Sequence, residues 1–481
     1  MHPESNINLD NIKKIHFIGI GGIGMSALAQ MLVKIYKINV SGSDRALDSS
    51  GQQGIFQTLS NSKIQLFPQN GSFIQQGNPD LIVFSSAVEK DNPDFLAAKN
   101  IQFVHRAQLL ASAINSLKDK KSIAICGSSG KTTVTAWMAE TLFNLKQDPI
   151  MIGGGISHAF ASKLNVGNFR YGKGNHVIFE ADESDKSLLK YSPDYAVITN
   201  LGTDHYPKDE LKALFIKFLK KVKKAVTINN ETYNFLGAEA FEHLKVYRFS
   251  TTEQIKTNEK TPSIPSCSGY TPSPVVCSAE LHCQSKTTTV KLPMPGLHST
   301  WNFLAIFTAC YKMLQLNENN VINAASKFNG VVRRYNFKGK TSKGCSIYDD
   351  YAHNVEKIIS CLKTSQELSP NGKVLLLFQP HGFGPLDFMW QPLLNNLEQY
   401  LRNDDIFAFL PVYYAGGTTS FKPTSEEIYL KYTKKGNKTY LYFRTRNDAI
   451  TYIRSKLDQN DISVICGARD NSLSLFAEKI T

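Results

Sequence analysis

Ser122-Ile123-Ala124-Ile125-Cys126-Gly127-Ser128-Ser129-Gly130-Lys131-Thr132-Thr133 is the stretch whose reading decides the fold class. An apolar run ending at Cys126 reads as a buried strand, and Thr132–Phe143 reads as a helix. A glycine-serine turn joins them, so the segment is a strand–loop–helix unit of a parallel α/β sheet. Such a turn points backbone N–H groups at an anion. Here the Lys131 ammonium suits the β- and γ-phosphates of ATP, and the Thr132 hydroxyl suits Mg2+. The full phosphate-loop pattern would place glycine at position 125, which is Ile125, so the first glycine is displaced. The bland alternative is a glycine-serine turn with a solvated lysine. The nucleotide reading, which the strand–helix context favours, takes Gly127, Ser128, Ser129, Gly130, Lys131, Thr132 and Thr133 as ATP-binding.

A second glycine loop lies upstream. Residues 14–20 read as a strand, Gly19-Ile20-Gly21-Gly22-Ile23-Gly24 as a GxGxxG turn, 24–35 as a helix and 37–41 as a returning strand. Asp44 follows Gly24 by 20 residues, the place where an acidic side chain meets a ribose hydroxyl. The motif alone does not choose between NAD and another pyrophosphate such as a UDP-sugar. A strand at 81–84 ends at Ser85-Ser86, and the polar stretch 117–121 reads as a linker.

Downstream, the strand 176–179 ends in Phe179-Glu180-Ala181-Asp182-Glu183-Ser184-Asp185. Carboxylates packed that closely repel one another unless a cation or hydrogen-bond donor balances them, and a phosphate loop in the same domain calls for Mg2+. The next strand, 195–199, leads to Asn200 and Asp204-His205. The serine-, threonine- and proline-rich segment 250–287 reads as a hairpin-bearing surface insertion, and a helix is expected over 300–314. Beyond residue 328 strands at 346–348, 374–378, 406–410 and 464–466 alternate with helices at 356–368 and 388–403. The expected architecture is α/β in three successive domains, with limits at 1–118, 119–328 and 329–481. The first is Rossmann-like with a pyrophosphate loop, the second is a P-loop-type ATPase domain, and the third is Rossmann-like again.

Composition narrows the function classes. The chain has 481 residues, 42% of them hydrophobic, and a formal charge of +13. It can build real cores, and no run reaches the roughly 18 apolar residues of a membrane helix. Its basic balance suits nucleotides, but the lysines are scattered, and Lys220–Lys224 reads as a solvated helix end, so no nucleic-acid partner is expected. Eight cysteines without a CxxC pair read as free thiols in a reducing cytoplasm. Cys267, Cys277 and Cys283 lack metal-ligand spacing. Lys13-Lys14 before an apolar run mimics a secretory signal, but the glycine loop inside it marks structure.

The motifs taken together resemble the Mur ligases, ATP-dependent amide ligases of peptidoglycan precursor synthesis. The likeness runs nearly end to end: HFIGIGGIGMSALA, SGSD, SSAVEKDNP, HRAQLL, GSSGKTT, FEADESD, TNLGTDH, PGLHSTWN, FNGVVRRY, DDYAH, FQPH, VYYAGG and CGARD. Within the family the chain is most similar to the branch that joins L-alanine to UDP-N-acetylmuramate. The resemblance implies that the first loop holds the UDP diphosphate, with Gly19, Gly21, Gly22, Gly24, Asp44, Ser85, Ser86 and Arg106 as sugar-nucleotide residues. It implies Lys131 on the ATP phosphates, Thr132 and Glu180 on one Mg2+, and His205 on a second. His298 and Asn302 would lie beside the adenine, and Arg334 and Asp349 or Asp350 would reach the nucleotide. Tyr351, His353 and His381 would face the amino acid, with Lys131, Glu180, His205 and His353 as the catalytic set. A cytoplasmic monomer or homodimer is expected.

Three departures cluster where the amine would sit. The alanine-adding branch follows FQPH with arginines that face the amino-acid carboxylate, whereas here Gly382-Phe383-Gly384-Pro385 follows His381. Gly417 replaces a glutamate, and Asn354-Val355 replaces His-Pro. Arg469 is the candidate replacement cation; the alternatives are a different amino acid, a murein peptide as the amine, or a nucleotide-binding paralogue that does not ligate. An NAD-dependent oxidoreductase, the rival from another class, leaves the second phosphate loop and the acidic cluster unexplained.

Overall fold

A computed structural model of the chain describes residues 7–47, 53–89, 91–183, 185–202, 206–250, 264–274, 276–414, 421–432 and 438–481. The chain divides into two compact units: Met1–Tyr270 with Ser278–Pro293 and His298–Val331, and Thr271–Cys277 with Met294–Leu297 and Val332–Thr481.

The first unit holds two parallel-type sheets. Strands β1 (Lys14–Ile18), β2 (Asn39–Asp44), β3 (Gln65–Pro68), β4 (Leu81–Phe84) and β5 (Gln102–His105) order as β3-β2-β1-β4-β5. All four pairings are parallel. Chain direction around the sheet reverses between β1 and β4, the crevice where parallel sheets take ligands. The glycine loop after β1 and Ser85-Ser86 after β4 both open there. The helix expected at 24–35 is found as Ile23–Met31, closed by the wider turn Leu32–Tyr36 and a left-handed Lys37.

The second sheet comprises β6 (Lys121–Cys126), β7 (Ile150–Ile152), β8 (Phe169–Arg170), β9 (His176–Glu180), β10 (Tyr195–Ile198), β11 (Ala225–Asn229) and β12 (Lys245–Phe249). Its order is β12-β11-β10-β6-β9-β7-β8, with only β7–β8 antiparallel. Strand β6 lies between β9 and β10, so the phosphate loop, the acidic loop and Asn200 leave neighbouring strand ends. Buried side chains of both sheets, from Phe17 and Leu28 to Phe179 and Phe218, join in one core.

A small sheet of β13 (Ser266–Thr271), β14 (Cys277–Cys283) and β15 (Lys286–Leu292) contains the expected hairpin, turned at Gln284-Ser285. In β14 the residues Cys277, Ala279, Leu281 and Cys283 alternate inward, so these two thiols serve as small apolar side chains. All eight cysteines are free.

The second unit is built on β16 (Asn336–Lys340), β17 (Ser346–Asp350), β18 (Val374–Gln379), β19 (Ile406–Phe409), β20 (Thr439–Tyr442) and β21 (Ile462–Gly467), ordered β16-β17-β21-β18-β19-β20. Val374, Leu376 and Phe378 face one core, while Leu375 and Leu377 face the other. Helices on both faces require such an unbroken apolar strand. The helix expected from 388 starts at Phe383. Pro385 stands in its first turn, where no intrahelical N–H bond is needed, so proline does not delay the start. Among the described residues no helix is long and apolar enough to cross a membrane.

Candidate active site

The N-terminal glycine loop leaves β1 through Gly19, whose φ of +79° suits glycine. The N–H groups of Gly19 and Ile20 donate to the Ser43 carbonyl, and that of Gly22 donates to the Gly19 carbonyl. Asp44 accepts from the Gly21 and Ala46 N–H groups at 2.8 and 2.9 Å. Its carboxylate therefore braces the loop from within. No side chain caps the helix Ile23–Met31. The Arg106 guanidinium lies over that end, so close that a Cβ at Gly24 would stand 2.5 Å from its Nη1. A helix N-terminus with a guanidinium over it suits a phosphate. Ser86, at the end of β4, shares a 3.1 Å hydrogen bond with His105 Nε2, and the Ser85 carbonyl accepts from Val88 N–H.

The phosphate loop after β6 is tied to the end of β10. Ser128 N–H donates to the Asn200 carbonyl, Ser129 N–H donates to Asn200 Oδ1, and Ser128 Oγ donates to the Gly202 carbonyl. Gly127 (φ +127°) and Gly130 (φ +86°) are the positions that need glycine. A Cβ there would stand 2.3 Å from Thr199 Oγ1 and 2.6 Å from Asn302 Oδ1. Asn302 is thereby fixed against the loop, one turn along the helix His298–Thr308 from His298. Burial pushes the His298 imidazole down to about 4, so it stays neutral. Thr133 is buried in the first turn after the loop.

Lys131 Nζ lies 2.8 Å from Glu183 Oε2 and 3.5 Å from Asp182 Oδ1. Burial opposes its charge, but Glu183, Asp182 and Glu180 outweigh that and hold its pKa above the ordinary lysine value. Thr132 Oγ1 donates to Glu180 Oε1 at 3.1 Å, and Gly154 N–H donates to Glu180 Oε2 at 2.9 Å. Hydroxyl and carboxylate therefore stand side by side at the mouth of the loop. Among the described residues no three His, Cys, Asp or Glu side chains could cage a metal. An ion here would complete its shell with phosphate oxygens and water, as Mg2+ does on nucleotides. His205, Asp204 and Ser184 lie outside the described residues, as does Gly417.

In the second unit the loops after β17, β18 and β21 assemble the other candidates. Arg334 stands over the Tyr351 ring at 5.4 Å, with Arg333 at 5.2 Å. His353 Nδ1 bonds the Tyr351 carbonyl at 2.9 Å, and its ring meets His381 edge to face at 5.3 Å. Arg469, with φ +63°, donates its N–H to Tyr351 Oη at 3.4 Å. Burial pushes His353 to about 3, aided by Lys357. Burial and the nearby Arg469 push His381 to about 4. Both rings are neutral at neutral pH.

The two aspartates divide. Asp349 is fully buried and pairs with Arg333 Nε at 3.1 Å. Arg333 also donates to the Asp470 and Gly467 carbonyls. Of the two carboxylates expected to reach a nucleotide, Asp349 is thus committed to the interior. Asp350 accepts from Tyr335 and Ala352 N–H, and burial raises its pKa.

Sequence reading missed Arg333 and Arg446. Arg446 bonds the Asp470 carboxylate, Gln379 Oε1 at 3.0 Å and Ser472 Oγ at 2.7 Å. It lies in no motif; only the long-range contact with the glutamine of FQPH reveals it.

Residues 14–117 match the model described as Mur ligase family, catalytic domain. Residues 125–310 match the Mur ligase middle domain, and 333–469 match the Mur ligase glutamate ligase domain. The chain is 30% identical to the UDP-N-acetylmuramate–L-alanine ligase of Agathobacter rectalis over 94% of this chain and 95% of that one. The Coxiella burnetii enzyme of the same name is 31% identical over 84% of each. The crystal structure of UDP-N-acetylmuramate-alanine ligase MurC from Thermotoga maritima superposes with a TM-score of 0.76 at 26% identity, covering 97% of this chain and 98% of that one. A murein peptide ligase from Psychrobacter arcticus, 18% identical, shares the fold at a TM-score of 0.68, covering 97% and 98%. With three family models matching in order and relatives aligned over nearly its whole length, the chain belongs to the Mur ligase family and has its three-domain α/β fold.

Proposed function

We propose that the chain joins the amino group of L-alanine to the carboxylate of UDP-N-acetylmuramate, converting ATP to ADP and phosphate, in cytoplasmic peptidoglycan precursor synthesis. The observation that carries this reading is the convergence of Lys131, Thr132 and Glu180 at the phosphate loop in a chain whose named relatives catalyse that reaction. The domain limits 1–118, 119–328 and 329–481 belong to the same proposal, as sugar-nucleotide, MgATP and amino-acid domains.

A carboxylate is a poor acyl donor because its leaving group is oxide; phosphorylation makes it an acyl phosphate that a neutral amine attacks. Lys131 supplies positive charge where phosphoryl oxygens gain negative charge. Thr132 and Glu180 offer the hard oxygen donors that Mg2+ takes, with His205 proposed for a second ion. When bound, Mg2+ screens and orients the phosphates. Arg106 and the uncapped helix end at Gly24 hold the diphosphate. His353, whose Nδ1 is engaged by the Tyr351 carbonyl, presents Nε2 as a hydrogen-bond acceptor that orients the neutral amine. Arg469 offers the carboxylate of the amino acid a cation in place of the missing arginines.

One observation favours a different amine. Gly382 and Pro385 stand where the arginines would follow His381, and Phe383 between them joins an aromatic group with Tyr414 at 6.3 Å and Phe421 at 5.5 Å. The deciding experiment is phosphate release with MgATP and UDP-N-acetylmuramate, scanning amino acids and short peptides, with the product identified by mass. L-alanine-dependent release supports the proposal. Release with another amine alone moves the chain to another branch, and release with none removes the ligase reading.

A further inference from the structure

The helix that would receive the sugar nucleotide is tied to the second sheet by a buried hydrogen-bond cluster centred on one amide. Asn168 is fully buried and stands immediately before β8 of the second sheet. Its Nδ2 donates to the Ile23 carbonyl at 2.7 Å and to Ser26 Oγ at 2.8 Å, on the first turn after the glycine loop. Its Oδ1 accepts from Gln30 Nε2 at 2.9 Å, one turn further along the same helix. Gln30 Oε1 in turn accepts from Val166 N–H at 3.0 Å, so the contact closes on itself with every polar group paired.

The backbone of the same residue points the other way. The Asn168 carbonyl accepts from Gly153 N–H at 2.8 Å, and the next residue, Gly154, donates its N–H to Glu180 Oε2. The path from the diphosphate helix to the carboxylate beside Thr132 therefore runs Ile23, Asn168, Gly153, Gly154, Glu180, with a hydrogen bond or peptide bond at each step. Ordinary packing between two sheets would be served by apolar side chains. A buried amide with each of its polar atoms matched fixes relative position instead, because any slip leaves desolvated groups unpaired.

We propose that Asn168 is a positioning residue for ligation: it sets the distance and angle between the sugar-nucleotide loop and the phosphate loop. This rests on the reading of those loops given above. In that reading the γ-phosphate and the sugar carboxylate react in line while held by different sheets, and misplacement by about 1 Å can cost on the order of 10²-fold in rate. Asn168 is fully buried and open to neither ligand, so each would bind alone without it.

The test uses full-length Asn168→Leu, close in size but without the amide, and Ser26→Ala, which removes one acceptor and is the milder change. Titration calorimetry with UDP-N-acetylmuramate and, separately, with a non-hydrolysable ATP analogue should give affinities within about 3-fold of the parent chain. Turnover by phosphate release should fall about 30-fold or more in Asn168→Leu and several-fold in Ser26→Ala, measured well below each variant's Tm. A lowered Tm with unchanged kcat would show plain packing and overturn the proposal. So would a rise in KM for the sugar nucleotide with kcat intact, which would confine Asn168 to its own loop. If Asn168→Leu does not fold, Ser26→Ala decides by the same readings. If the parent chain releases no phosphate with any amine, the ligase reading fails and the proposal with it, whereas adverse readings confined to the variants overturn the proposal alone.

Discussion

Lys131 Nζ lies 2.8 Å from Glu183 Oε2, and the Glu183 side chain is 1% exposed. The lysine of the phosphate loop is therefore docked on a buried carboxylate of the neighbouring strand end, with its charge already desolvated. A nucleotide phosphate would have to draw the ammonium from that carboxylate.

Lys131→Ala removes the cation that meets the developing phosphoryl charge. Ligation should fall by at least about 10³-fold, the scale of losing a preorganised charge contact in a transition state. Sugar-nucleotide affinity, measured by calorimetry, should stay within about 3-fold. Appreciable turnover in this variant would sink the ATP role assigned to the loop.

Gly127→Ala tests the loop as a shape. Position 127 has φ +127° and a Cβ there would sit 2.3 Å from Thr199 Oγ1. Strain and overlap together should lower stability by about 2–4 kcal/mol and abolish ATP-analogue binding. Urea denaturation and calorimetry read the two effects separately.

Asp349 and Asp350 are adjacent but should fail differently. Asp349 is the buried partner of Arg333, and removing one member of such a pair costs about 3–5 kcal/mol. Asp349→Ala should therefore appear as a fall in Tm. Asp350→Asn keeps an acceptor for only one of the Ala352 and Tyr335 N–H groups, so it should cost about 1–3 kcal/mol, less than Asp349→Ala, and reduce turnover beyond that loss of stability. The reverse pattern would reassign the two.

Arg469 is the cation placed beside Tyr351 and His381. If it anchors the amino-acid carboxylate, Arg469→Ala should raise KM for the amino acid about 10-fold or more, given roughly 1.5–3 kcal/mol for a charge-assisted bond. KM for ATP should not move. Pro385→Arg, at an exposed first-turn position, should lower KM for L-alanine. Gly382 is the poorer site for that substitution because its φ is +156°.

Acid stability should reflect His16. Its ring is fully buried, stacks on Phe73 at 3.8 Å and meets Ser41 Oγ at 2.9 Å. Burial lowers its pKa to about 3. Between that value and the ordinary 6.5, the unfolded chain binds a proton that the folded chain refuses, so stability falls as pH falls. At about 1.4 kcal/mol per unit, the loss from this group at pH 4.5 is roughly 2–3 kcal/mol. His16→Asn, compared by urea denaturation at pH 7 and 4.5, should lose less on acidification than the parent chain.

Much of the site was legible in the chain because its chemistry is local. Gly127 to Thr133 lie within one turn between a strand and a helix, and periodicity places both. The same holds for Gly19 to Gly24 and for the acidic run that ends β9. The helix expected over 388–403 instead begins at Phe383, because a first turn tolerates Gly384 and Pro385. Asp349 and Asp350 could not be ranked, since nothing in DDYAH says which carboxylate turns toward Arg333.

The sequence by itself determined an α/β fold in three domains, two glycine loops that each join a strand to a helix, and the lysine and carboxylates that flank one of them. Those follow from spacing along the chain, where steric and hydrogen-bond rules act over a few residues. Only the tertiary structure decided that Asp44 braces its own loop, that Glu183 docks Lys131, that Arg333 consumes Asp349, and that Asn168 pins one site to the other. Each is a contact between residues some 16 to 145 positions apart. Such partners are chosen by sheet order and by the cost of leaving buried polar groups unpaired, and neither is written in any local pattern.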